Sequence, residues 1–376
     1  MMNILCYVHL RNIYGSTGHG RVTRQIMEHL AQVKEDTLHI LADPADHRKV
    51  VHKVGSPWTE FPYHFFKNET SRQQARWLLT GSPAAEYYWP EAQIVYCAGG
   101  SYVPAGKARL VVTLHDAAIF EERALVRNWA FLRQRLKTKY LYRILAREAD
   151  LIHTVSHFSE ERLSYFFPEF RSRLRVVPNA VSPCFFLPVA REGSEALKEW
   201  GLVDRPFVLL PGGLNYRKNA DLVLKAWRLV HELHPDLKLV VAGHCEPSYI
   251  APAKALGASV ELKGFVSDEA LCALYTAAQV VWFPSLYEGF GMPVLEAMAC
   301  GATVVASNST SIPEVAGDVG ILVSPTAVSE HVEAIDSLLK DSSRREVLYS
   351  RGKERARPFT WARTAEQLRQ CFQSLV

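Results

Sequence analysis

Short runs of β-branched and other apolar residues alternate with stretches of helical period along most of the chain, and that alternation leaves few folds open. Its natural outcome is a parallel sheet covered by helices on both faces. The strand-like runs fall in two series. The first lies at 3–10, 38–42, 94–97, 110–114, 151–155 and 175–177, the second at 207–210, 237–242, 259–262, 280–283, 303–306 and 321–323. Each series suffices for one doubly wound sheet, and 376 residues exceed the roughly 250–300 beyond which a single core stops growing. Between them, 178–201 holds Pro178, Pro183 and Pro188 and a polar stretch at 191–195 without strong periodicity, which reads as a linker. The expected division is a domain at 1–183 and another at 184–360, followed by a helix patterned for packing at 361–376.

Composition narrows the class further. At 48% hydrophobic and 22% charged residues the chain is too apolar to be disordered. Its longest apolar runs, such as 207–211, are strand-sized and far short of the roughly 20 residues that cross a bilayer. The first ten residues lack a basic stretch followed by a long apolar one and a small-residue cleavage site, so no secretory signal is expected. Seven cysteines, an odd number with no Cys-x-x-Cys pair, read as reduced thiols in a cytoplasmic protein. Charge is uneven: 24 Lys and Arg face 17 Asp and Glu up to Pro183, against 19 and 22 beyond it.

In doubly wound sheets ligands bind beyond the carboxyl ends of the strands, so residues that carry chemistry are sought there. After the run 280–283 comes Pro284-Ser285-Leu286-Tyr287-Glu288-Gly289-Phe290-Gly291-Met292-Pro293. Two glycines and a proline suited to the first turn of a helix predict that the amides of Phe290, Gly291 and Met292 gather at a helix N-terminus, where anions bind. Glu288 precedes that helix and Glu296 lies on it. Carboxylates accept hydrogen bonds from vicinal hydroxyls and repel phosphate, so the pair suits sugars while amides and cations suit phosphates. After the run 207–210, Gly212 and Gly213 allow close approach of the backbone, and Arg217 and Lys218 add a fork donor and a point charge suited to a pyrophosphate. In the first series His115 ends a strand and can donate to a sugar hydroxyl or a phosphate oxygen. Gly15-Ser16-Thr17-Gly18-His19-Gly20 follows the first strand, but its spacing is not the dinucleotide fingerprint, so a dehydrogenase is disfavoured.

Taken together, these residues resemble the retaining glycosyltransferases of family 4. Glu288 and Glu296 stand at the separation of that family's Glu-x7-Glu signature. Arg217-Lys218-Asn219, His115-Asp116, Thr154-Val155-Ser156, Val177-Pro178-Asn179 and Ile312-Pro313-Glu314-Val315 look like its other motifs, in order. The resemblance covers nearly the whole chain. It implies the GT-B architecture of two Rossmann-like domains, the acceptor-binding one first and the donor-binding one second, with the final helix crossing back onto the first. It also implies that Arg217 and Lys218 neutralise the donor pyrophosphate, that Glu296 binds the ribose and Glu288 the transferred sugar. Phe290, Gly291 and Met292 would offer backbone contacts, His115 would touch the sugar, and Gly18, Gly20 and Gly213 would let backbone approach the donor. One departure is that Gly213 and Leu214 stand where some members carry a further Arg.

No Asp-x-Asp occurs and no residues have metal-ligand spacing, so transfer without a divalent metal or other cofactor is expected. The resemblance favours GDP-mannose as donor, a glycan or lipid-linked acceptor of polysaccharide or lipopolysaccharide biosynthesis, and retention of configuration. A UDP-sugar-dependent transferase, a GT-B-type sugar-nucleotide epimerase and a non-catalytic carbohydrate-binding protein are the alternatives. From Arg123 through Arg147 eight cations and no acid are interleaved with Trp129, Phe131, Tyr140 and Tyr142. That segment suits an anionic membrane surface, on the inner face of the membrane, or an anionic acceptor. Nucleic acid is not expected, since no recognised binding module accompanies the charge.

Overall fold

The computed structural model describes residues 1–14, 18–121, 129–187 and 193–376. They form two compact units: Met1–Asn179 with Trp361–Val376, and Ala180–Thr360.

The first unit is a seven-stranded parallel sheet in the order β3-β2-β1-β4-β5-β6-β7. Its strands are β1 Asn3–Tyr7, β2 Thr37–Ala42, β3 Tyr63–Phe65, β4 Ile94–Cys97, β5 Arg109–Thr113, β6 Leu151–Thr154 and β7 Leu174–Val176. The central ones are buried along nearly their whole length, as expected of strands covered on both faces. Trp77, Phe66 and Tyr7 fill one side of the core. The helix Trp361–Gln373 belongs to this unit: its Phe372 ring lies 5.2 Å from Tyr96, and Thr364 Oγ1 donates to the Pro178 carbonyl at 2.8 Å. Arg369 Nε meets the buried Asp36 carboxylate at 2.6 Å.

The second unit is a six-stranded parallel sheet ordered β10-β9-β8-β11-β12-β13. These are β8 Phe207–Pro211, β9 Lys238–Ala242, β10 Val260–Gly264, β11 Val280–Phe283, β12 Val304–Ser307 and β13 Ile321–Val323. Trp227 and Trp282 are wholly buried against it. Both sheets reverse winding direction beside their first strand, between β1 and β4 and between β8 and β11. Loops splay apart at such a point and leave a crevice.

Three local expectations change. The first strand ends at Tyr7 rather than residue 10, because Leu10 and Ile13, three apart, are buried on a short helix Leu10–Tyr14. β3 was not expected from sequence: it has three residues, none buried, and exists through pairing with β2, Ile40 opposite Tyr63. The units divide after Asn179 instead of Pro183. Val181 N–H donates to Phe359 at 3.1 Å and pairs with Thr360, and Phe185 packs near Tyr275, so 180–187 lies in the second unit. Residues 188–192 of the expected linker lie outside the described residues.

Candidate functional site

In the second unit the two motifs emerge from β8 and β11, on either side of its crevice. Lys218 Nζ contacts Glu288 Oε1 at 2.7 Å and Arg217 Nη1 contacts Glu288 Oε2 at 3.1 Å. Lys218 and Glu288 are both buried, whereas Arg217 is half exposed. Lys218 Nζ also sits 4.2 Å from the centre of the Phe283 ring, a cation–π contact. Burial alone would raise the Glu288 carboxyl, but Lys218 and Arg217 outweigh it and hold the group below the usual carboxylate range. Burial draws the Lys218 ammonium down from its ordinary value, and Glu288 opposes that pull. At 2.7 Å the pair is ionised, so one carboxylate is shared by two cations and the cluster carries net positive charge.

The backbone around this cluster is clamped. Asn219 adopts φ 62°, and its amide donates to the carbonyls of Pro284 at 3.1 Å and Pro325 at 2.7 Å, tying the turn after β8 to the loops after β11 and β13. Asn215 Oδ1 accepts from the Lys218 amide at 3.0 Å. Glu288 is held by its own backbone: its N–H donates to Thr310 Oγ1 at 3.2 Å and its carbonyl accepts from Ser311 Oγ at 2.9 Å. Thr310 itself stands at φ 58°, a costly conformation for a β-branched residue that marks the loop as over-determined. Sequence reading gave none of these residues a positioning role. The Asn219 signal was visible, an Asn following two cations before a helix, but not its two partners.

Gly213 is required by the fold itself. A Cβ there would lie 1.8 Å from the His244 carbonyl, and at φ 78° a side chain is strained besides. A Cβ on Gly212 would fall 2.7 Å from Lys218 Cε. The contacts that demand glycine are therefore with the chain's own β9 loop and its own lysine.

Gly291, at φ 100°, caps the helix Met292–Ala299, which starts with Met292 and Pro293. The first-turn amides of such a helix lack intrahelical partners and point outward from its N-terminus. Phe290 is buried, 6.2 Å from Phe359. Glu296 is buried on the same helix and accepts from Tyr275 at 3.2 Å. Its negative charge reaches Lys218, one of the influences that raise the ammonium. Arg217, Lys218, Glu288, Glu296 and the 290–292 turn thus gather at one sheet edge.

The first unit has its own cavity, of about 320 Å³, at the crevice beside β1. Tyr7, His9 and Asn12 line it from the β1 end, Gly99 to Ser101 from the β4 end, and Leu114, His115 and Asp116 from the β5 end. Gln134 and Tyr142 close it from the helix Trp129–Glu148. Among the described residues of the lining, Asp116 is the one carboxylate and neither lysine nor arginine occurs. His115 stacks on His19 with ring centres 4.4 Å apart, and its Nε2 is buried without a partner among the described residues. Burial, with His19 and His153 adding to it, pushes His115 well below the usual imidazole range, so it is neutral at pH 7. Gly18 and Gly20 lie in the first turn of the helix Gly18–Leu30, Gly18 exposed and Gly20 buried. Gly15, Ser16 and Thr17 lie outside the described residues.

Two family models divide the chain between them: Glycosyltransferase Family 4 over residues 16–184 and Glycosyl transferases group 1 over 194–355. An O-antigen chain mannosyltransferase B of Escherichia coli is 32% identical over 282 residues, 73% of this chain and 72% of that protein. The chain is a family 4 glycosyltransferase. A serotype-specific mannosyltransferase, WbdA of Escherichia coli, is 30% identical over 226 residues, 58% of this chain; those residues are 28% of that longer protein. Among solved structures, Anabaena HepE in complex with UDP and glucose superposes with a TM-score of 0.72 at 18% identity, over all of both chains. That likeness gives this glycosyltransferase the GT-B fold.

Proposed function

We propose that this glycosyltransferase moves a mannosyl residue from GDP-mannose to a saccharide acceptor of a surface polysaccharide or lipopolysaccharide, in the cytoplasm, with retention and without a divalent metal. The carrying observation is the Arg217–Lys218–Glu288 cluster at the edge shared by β8 and β11, with Glu296 beside it. The two mannosyltransferase relatives favour the sugar.

In this reading the donor diphosphate takes Lys218, Arg217 and the amides of the 290–292 turn. Glu288 turns to the hydroxyls of the sugar, and Glu296 takes those of the ribose. As the glycosidic bond breaks, charge grows on the departing phosphate oxygens, and fixed cations and amides stabilise it without reorganising. The acceptor's hydroxyls occupy the cavity of the first unit, where Asp116, Asn12, Gln134 and neutral His115 offer hydrogen bonds.

Calorimetric titration with GDP, UDP and ADP tests the donor: GDP binding tightest is expected, and equal affinity for UDP would overturn that choice. Turnover of GDP-mannose is then followed with and without a mannoside acceptor. Conversion of donor to an epimer without acceptor would replace transfer by epimerisation. Loss of turnover in EDTA would remove the metal-free mechanism.

A further inference from the structure

The cysteines are scattered along the sequence, yet the fold brings Cys184, Cys272 and Cys300 together beside Glu296. Cys272 lies on the helix Asp268–Ala277, and Cys300 directly follows the helix Met292–Ala299. Both are buried, and their sulfurs stand 3.8 Å apart. The Cys272 thiol donates to the Cys184 carbonyl at 3.2 Å, which leaves the Cys300 thiol to donate to the Cys272 sulfur. That bond holds Cys272 below the usual thiol range, although burial opposes it, and the same bond with burial pushes Cys300 up. Since the thiolate is the nucleophilic form, Cys272 is the sulfur that attacks and Cys300 the one that resolves. The turn Pro183–Phe186 packs on both helices over this pair, and its Cys184 is half-buried.

Each of the two thiols lies one helical turn from a group of the candidate site. Tyr275, three residues after Cys272, donates through its hydroxyl to the Glu296 carboxylate at 3.2 Å. Glu296, four residues before Cys300, accepts from the Cys300 N–H through its own carbonyl at 3.1 Å. Residues three or four apart share one helix face, so the thiol contact and the Tyr275–Glu296 contact are neighbouring links between the same two helices. A disulfide sets its sulfurs about 2.05 Å apart, so forming one draws this link in by about 1.8 Å. A close-packed interior transmits such a shift to the next turn.

We infer that Cys272 and Cys300 are an oxidisable dithiol, whose closure into a disulfide displaces Glu296 and weakens nucleotide binding. A peroxide is the oxidant. The Cys272 sulfur attacks one peroxide oxygen, the O–O bond breaks, and one water departs, leaving a sulfenic acid on Cys272. The Cys300 sulfur then forms the S–S bond and expels that hydroxyl as a second water, so two thiol hydrogens and two electrons pass to the peroxide in all. In a reducing compartment such a bond is transient, and a dithiol reductant reopens it by exchange. The effect on binding rests on the ribose role proposed for Glu296; the formation of the bond does not.

Treating the reduced full chain with hydrogen peroxide tests both parts. The intact mass should fall by two hydrogen atoms, and proteolysis without reductant should release one linked peptide pair carrying Cys272 and Cys300. The dissociation constant of whichever of GDP, UDP and ADP binds tightest should rise about tenfold, as for a lost bond to a charged group, and return with dithiothreitol. Reduced Cys272→Ala and Cys300→Ala should each bind that nucleotide as the parent does and lose the response to peroxide, whereas Cys184→Ser should keep it. The parent's linked peptide decides the pair even where an alanine variant misfolds. A linked peptide carrying Cys184, a disulfide between two chains, or oxidation of single thiols to sulfinic acid would overturn the pair, as would a response that persists in Cys300→Ala. Glu296→Gln separates the two readings. If it weakens the nucleotide and the disulfide does not, the coupling is overturned; if it binds as the parent does, the ribose role fails and takes the effect on binding with it, while the linked peptide still decides the disulfide.

Discussion

The crevices beside β1 and beside β8 are built on the same strand order and carry opposite chemistry. In the second unit two cations close on one buried carboxylate, with another carboxylate near. In the first, the described lining of the cavity brings amides, hydroxyls and imidazoles around one carboxylate, Asp116. Charge suits a diphosphate and directed hydrogen bonds suit a sugar, so on the proposed function one scaffold would serve two ligand classes by changing only the residues after its strands. The difference also shows in the backbone. Gly213 is forced by its approach to His244, whereas a Cβ on Gly99, after β4, would meet nothing within 4 Å.

That contrast can be broken in several places. Lys218→Ala should cost most, lowering kcat by about 10²–10³ in a steady-state transfer assay; a loss confined to acceptor KM would mean that the charged crevice is not where the leaving group is met. Acid should act next. His153 is wholly buried, bonded to Thr113 and to the Val177 carbonyl, and burial lowers it from 6.5 to about 4. The unfolded chain takes up that proton as pH falls through 6.5, while the folded one waits until about 4. Stability is therefore lost across that window, by up to about 1.4 kcal/mol per pH unit and about 3 kcal/mol in all. His331 in the second unit, lowered to about 4 by burial, adds the same dependence, so melting temperatures of His153→Gln and His331→Gln should each be less pH-dependent than the parent's. Gly213→Ala should destabilise by about 2–3 kcal/mol in urea titration, and Gly99→Ala by less than about 0.5 kcal/mol. Among the binding effects the mildest is expected of Gln134→Ala, which should raise acceptor KM about tenfold, one hydrogen bond's worth, and leave donor KM as it was; a matching change in donor KM would merge the two sites.

Much of this was legible beforehand because strand, glycine and helix follow one another in the chain. The turn at 284–293 reads as a helix N-terminus from residues that are local neighbours, and the two glutamates fall where that helix puts them. What was hidden depends on partners distant in sequence. Nothing near Glu288 tells that Lys218, seventy residues earlier, will neutralise it, nor that Thr310 and Ser311 will hold its backbone. β3 escaped because three unburied residues leave no hydrophobic pattern, and the packing need for glycine at 213 because His244 lies in another loop. The cavity was anticipated only at the pair His115-Asp116; Asn12 and Gln134 join it from two further elements, and no periodicity links them.

Glu288 gives the crevice beside β8 a salt of its own. On the proposed function, a diphosphate entering it finds cations already half compensated and must exchange with an internal rival, so affinity for the donor would measure the margin between two anions. On the proposed cycle the same rival waits to reclaim Lys218 once the sugar has gone, and the group that delays entry hastens the exit of the spent nucleotide.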